Sequence, residues 1–164
     1  MDYKTLNKKS KAELITMVLQ MYNKLQALVS SADVHEQYIL KHFDSDSEQE
    51  QFYVMYLNTK CEILGHDLLF IGARHKLDVD VKVVIKNVVQ KKHCKAIIIA
   101  HNHPSNDLRL SPEDIDMTKK IAVACAYVDV SLLDSIVFTP NKEWTGCSKN
   151  IRNYLEEGLW ERKE

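Results

Sequence analysis

Apolar residues in this chain follow two different periods. Leu14, Met17, Val18, Met21, Leu25 and Leu28 recur at three and four, behind a Ser10-Lys11-Ala12-Glu13 capping-box pattern, so an amphipathic helix is expected over about 10–30. A second short helix is expected over about 32–42, and Asp44-Ser45-Asp46-Ser47-Glu48 reads as a solvated polar connector. From Glu50 the texture changes to β-formers. Phe52 to Leu57 predicts a strand, Asn58-Thr59-Lys60 a turn, and segments 61–64 and 68–71 the next strands, broken near Gly65 and ended by Gly72. Val81, Val84, Ile85, Val88 and Val89 return to helical spacing and predict a helix over about 79–92. Residues 96–100 form a short β-branched run without polar alternation, as a central strand buried on both faces requires. A helix over 112–127 places Ile115, Thr118, Ala122 and Cys125 on one face; a strand pair at 131–133 and 135–138 and a helix near 150–157 complete the chain. No internal repeat or low-complexity tract is visible. This succession predicts an α/β domain, a mixed sheet between helices, over residues 35–164, preceded by a helical extension over residues 1–34.

The central strand runs into His101-Asn102-His103-Pro104. Strand side chains alternate, so His101 and His103 project to one side and Asn102 to the other, where its role is structural or supportive. Ser111-Pro112-Glu113-Asp114 is a helix start, with Ser111 as N-cap and Pro112 at the first helical position. Asp114 then lies in the first turn, close to the strand end. Each piece alone has an ordinary explanation: strand-end histidines are mostly surface residues, and acids favour helix N-termini. Their conjunction makes a catalytic zinc set, with three protein ligands and an open fourth position. Hydrolysis at such a site also needs a base to move the water's proton. The intervening loop offers only Asp107 and Glu113. Glu50, immediately before a core strand, is the chosen candidate and Glu48 the second. Ser111 has two compatible roles, capping the helix and stabilising an oxyanion with its hydroxyl. Asn106 and Arg109 lie in the loop, within reach of a substrate.

Composition narrows the class. A length of 164 residues suits one domain with a short extension, and a formal net charge of −1 provides no overall electrostatic case for nucleic-acid binding. Cys61, Cys94, Cys125 and Cys147 are widely spaced, which argues against a zinc ribbon and for reduced, buried thiols. No signal peptide, lipidation motif or membrane-spanning apolar run is seen, so no membrane partner is expected and the expected location is cytoplasmic.

The sequence His101-Asn102-His103-Pro104-Ser105, with Ser111 and Asp114, resembles the JAMM (JAB, MPN+) metalloprotease motif. Its flanks resemble the bacterial RadC branch. These are Glu50-x-Phe52 leading to Leu57-Asn58, Ala96-Ile97-Ile98, Pro112-x-Asp114-Ile115 with Thr118, and Leu132-Leu133-Asp134; together they cover roughly residues 35–140. The resemblance implies the JAB/MPN fold, related to cytidine deaminases. It implies Zn2+ on His101, His103 and Asp114, a general base at Glu50 and an oxyanion contact at Ser111. The expected activity is zinc-dependent hydrolysis of peptide or isopeptide bonds, with a protein or peptide as substrate. Two departures stand out: Asn106 where RadC-like chains usually have Gly, and Ser135 where they usually have His. Full-length RadC proteins carry an N-terminal helix-hairpin-helix DNA-binding region that this chain is too short to include. One alternative is a DNA-repair or recombination accessory factor, or a nuclease, resting on the RadC association and on Lys91, Lys92, His93 and Lys95. Another is a non-catalytic binding module that uses the N-terminal helix.

Overall fold

The structure, a computed structural model, describes residues 10, 13, 15–17, 20, 32–73, 78–148 and 150–154, with side chains of the first helix from residue 35. The expected helix over 10–30 lies mostly outside the described residues. Its capping box is present, with Ser10 N donating to Glu13 Oε2 at 2.7 Å and Glu13 N to Ser10 Oγ at 3.3 Å.

The elements are α1 (Ala32–His42), β1 (Gln51–Leu57), β2 (Ile63–Ile71), α2 (Val81–Gln90), β3 (Ala96–Asn102), α3 (Pro112–Tyr127), β4 (Ser131–Phe138) and β5 (Trp144–Gly146). Residues 150–154 are helical, and the rest of the expected terminal helix lies outside the described residues. The strands form one mixed sheet in the order β2-β1-β3-β4-β5. Only β3 and β4 are parallel, and α3 makes the crossover that a parallel pair needs. Helices cover both faces. Phe52, Val54, Tyr56, Ile97, Ile99 and Leu132 pack against Val84 and Val88 of α2 and Ile121, Ala122 and Cys125 of α3. On the other face Tyr53, Met55, Ile98, Ala100 and Phe138 pack against Ile39 of α1 and Phe43 just beyond it. This double coverage is why β1 and β3 lack polar alternation.

Three expectations need correction. The two strands expected at 61–64 and 68–71 are one strand over Ile63–Ile71, because Gly65 does not break it. At a φ of 142°, Gly65 pairs with Tyr56 beside a register shift at Tyr56/Leu57, so it marks a bulge. The supposed strand pair at 131–138 is likewise one strand. Its register steps from Ile97↔Leu132 to Ile98↔Asp134, which leaves Leu133 as the extra residue. The connector at 44–48 is less solvated than expected: Ser45 is buried and the Ser47 carbonyl accepts from Asn102. The three-residue β5 carries no apolar pattern and was not foreseen. Helix α2 starts later than expected because Asp80 caps it, accepting from Lys82 N. All four cysteines are buried and free. Among the described residues no helix is long and apolar enough to cross a membrane.

Candidate metal centre

At its C-terminal end β3 delivers two imidazoles to the face covered by α2 and α3. His101 sits opposite Phe52 of β1, and His103 N donates to Phe138 O at 2.9 Å, one step beyond the parallel ladder. His101 and His103 are both buried. The helix after the loop supplies the third group. Ser111 caps α3, with Asp114 N donating to Ser111 Oγ at 3.1 Å, and Asp114 returns the cap by accepting from Ser111 N at 2.8 Å. An aspartate thus takes the usual place of Glu in a capping box, and the box fixes its carboxylate over the strand end.

The three side chains converge. His101 Nε2 lies 3.0 Å from His103 Nε2 and 3.2 Å from Asp114 Oδ1, and His103 Nε2 lies 3.7 Å from Asp114 Oδ2. Ligands of a tetrahedral zinc, each about 2.0–2.2 Å from the ion, stand roughly 3.3–3.5 Å apart. The observed spacings bracket that value. Protonation fits as well. His103 Nδ1 is 2.6 Å from Asp107 O, and because a carbonyl only accepts, the proton is on Nδ1. When the ring is neutral it therefore presents the Nε2 lone pair to the centre, as metal-binding histidines do. His101 Nδ1 is buried without a hydrogen-bond partner among the described residues. Among those residues this trio is the one group of three donors close enough to hold a metal ion.

Electrostatics point the same way. Burial alone would raise the Asp114 pKa, but hydrogen bonds from His101 and His103 and the Ser111 hydroxyl hold it far below the usual carboxylate range. Burial also pushes His103 down. Its bonds to Asp114 and the Asp107 carbonyl, with the charges of Asp114 and Glu50, more than reverse this. The site therefore favours positive charge at its centre, which a divalent cation supplies.

The remaining candidates fall as follows. Glu50 is half-buried, lies one residue before β1, and its charge acts on His103. Glu48 is exposed. The Ser111 hydroxyl, foreseen as an oxyanion donor, is committed here to Asp114 Oδ2 at 2.6 Å. Asn106 adopts the left-handed conformation (φ 61°) that a Gly would take without strain. Ser135 is buried, and its Oγ accepts from Thr118 Oγ1 at 3.0 Å, tying β4 to α3. Arg109 holds the Asp107 carboxylate through Nε at 3.0 Å and Nη2 at 2.7 Å, keeping that acid down at about 2. Two contributors were not foreseen: the Asp107 carbonyl, a backbone atom with no side-chain signal, and the bonding pattern of Asn102. Lys91, Lys92, His93 and Lys95 lie at the far end of β3 from the histidines of the site. Lys91 is paired with Asp67 at 2.8 Å, while Lys92, His93 and Lys95 are exposed.

A mixed sheet between helices, with a His-x-His strand end facing a capped aspartate, defines a JAB-type domain. The chain belongs to the RadC-like JAB domain family, whose profile matches residues 28–151. Similar proteins include a UPF0758 protein of Carboxydothermus hydrogenoformans, 40% identical over 95 residues, covering 58% of this chain and 42% of the relative. One from Shouchella clausii is 40% identical over 90 residues, with coverage of 55% and 39%. One from Chlorobium chlorochromatii is 28% identical over 122 residues, with coverage of 74% and 53%. The chain thus spans about two fifths to one half of the length of these relatives, and their name specifies no activity.

Proposed function

We propose that the chain is a zinc-dependent hydrolase of peptide or isopeptide bonds, with zinc held by His101, His103 and Asp114. The observation that carries this is the convergence of two Nε2 atoms and a carboxylate at 3.0–3.7 Å, with His103 Nδ1 held by the Asp107 carbonyl. A bound zinc supplies Lewis acidity and lowers the pKa of a coordinated water toward about 7. Glu50, one residue before β1 and near enough for its charge to act on His103, would take the proton of the attacking water and return it to the leaving amine. Ser111 reaches an oxyanion only by turning its hydroxyl away from Asp114 Oδ2, so its donor role depends on that carboxylate being engaged elsewhere. Four buried, free thiols support a reducing compartment, the cytoplasm. The nucleic-acid alternative rests on the RadC association and on Lys91, Lys92, His93 and Lys95 at the opposite end of the sheet, and no observation at the histidine site favours it.

The test is metal content followed by turnover. The wild type is expected to hold about one zinc per chain and His103→Ala little. Screened on peptide and lysyl-isopeptide libraries, the zinc-loaded wild type is expected to cleave; Glu50→Gln is expected to keep its zinc and lose at least about 100-fold in kcat. Zinc binding without cleavage of any library member would overturn the hydrolase reading and leave a binding module.

A further inference from the structure

We propose that Asn102 is a positioning residue that sets the place of Glu50; the inference rests on the assignment of Glu50 as the base. Asn102 lies between the two histidines but points to the opposite side of β3, and it is fully buried. Its amide is used at three points. Oδ1 accepts from Gln51 N at 2.6 Å, and Nδ2 donates to Ser47 O at 3.2 Å and to Gln49 O at 3.0 Å. An Asn side chain has two N–H donors and one carbonyl, so both donors are spent on one segment. The bonded positions bracket Glu50 on both sides.

The β1–β3 ladder explains why a side chain is needed here. Main-chain pairing with β3 begins at Phe52↔His101, and Gln51 pairs only with Ile71 of β2. Beyond Asn102 the β3 backbone turns its next amide to β4, where His103 N donates to Phe138 O. The Asn102 amide therefore takes over where main-chain pairing with β3 stops. From the β2 side the Glu50 backbone is held by Gly72 N, which donates to Glu50 O at 2.7 Å. One side chain thus ties the strand that bears the histidines to the segment that bears the base. None of its bonds involves His101, His103 or Asp114, so metal retention does not depend on it. Placement of the base does, and a proton-transfer group displaced by about 1 Å can lose about 100-fold in rate.

The experiment compares zinc-loaded full chains: wild type, Asn102→Ala, Glu50→Gln and the double variant, on the peptide or isopeptide identified in the library screen. Asn102→Ala is expected to keep its zinc and KM within about threefold and to lose about 10- to 100-fold in kcat. The double variant is expected to be no slower than Glu50→Gln alone, because the effect of Asn102 passes through Glu50. A residue that merely stiffens the fold would lower kcat by the same factor in both backgrounds, and that multiplicative result overturns the proposal. So does a kcat for Asn102→Ala within about twofold of wild type. Asn102→Ser, which keeps one hydroxyl in place of the amide, takes its place if the alanine variant does not fold. A second arm uses cobalt(II) in place of zinc and reads the visible absorption band. Asn102→Ala and Glu50→Gln are expected to shift the band in the same direction, whereas a wild-type band in the Asn102 variant counts against positioning. If the wild type cleaves nothing, the hydrolase reading fails and the cobalt arm alone decides the placement of Glu50.

Discussion

At Asn106 the backbone enters the left-handed region (φ 61°) just after a tight turn in which its amide bonds to His103 O at 3.1 Å. The next residue, Asp107, gives His103 Nδ1 its carbonyl at 2.6 Å, so the turn at Asn106 aims the acceptor that keeps a proton on His103 Nδ1. Asn tolerates this conformation better than other side chains; an alanine there is expected to lower the stability of the metal-free chain by about 1 kcal/mol, and a glycine to cost nothing. Urea unfolding of the two variants checks this, and equal stabilities would show that the turn carries no strain. The side chains of this site were legible in the sequence because His-x-His at a strand end and Ser-x-x-Asp at a helix start each imply a direction. The Asp107 carbonyl was not, since every residue has one and only the loop's path chooses it. The commitment of the Ser111 hydroxyl to Asp114 was also hidden, because it depends on the carboxylate's rotamer.

Among the elements, β4 and the segment after it are joined by one partly buried acid. Asp134 Oδ1 accepts from Ser135 N at 2.7 Å and Cys147 N at 2.9 Å. The approach is close enough to require glycine next door, since a Cβ on Gly146 would stand 2.5 Å from Asp134 Oδ2. Burial pushes the Asp134 pKa up to about 6, although the amides of Ser135, Cys147 and Ser148 pull it back. A carboxylate whose pKa is raised by folding contributes stability that is complete below its unfolded value near 4 and lost as pH rises through about 6. The contribution is up to about 3 kcal/mol. Asp134→Asn keeps the acceptor and removes the charge. Its melting temperature is therefore expected to gain on the wild type by several degrees between pH 4 and 7. A constant difference across that range would show that Asp134 does not titrate there. Such joints explain which elements sequence patterns found. The long apolar strands and both capped helices were visible, whereas β5 exists through its pairing with β4 and not through a pattern in its own three residues.

For the whole molecule, a metal bound only by the folded state adds stability by mass action. At free zinc about 100 times the dissociation constant the gain is about 2.7 kcal/mol, expected as a rise of roughly 5–10 °C in melting temperature that EDTA reverses. His103→Ala is expected to show no such rise; an equal rise in that variant would place the metal elsewhere. What the sequence determined by itself was local. Period two and period three-to-four apolar repeats, caps and the His-x-His-Pro motif encode elements and the side from which each ligand projects, because these follow from backbone geometry over a few residues. The tertiary structure alone decided what meets across the sheet. It made single strands of two apparently broken ones, because bulges at Gly65 and Leu133 matter only against a partner's register. It put the half-buried Glu50 near enough to His103 for its charge to act there and left Glu48 exposed. It also turned Asn102 toward the segment at 47–51, a contact separated by some fifty residues that no local spacing can show.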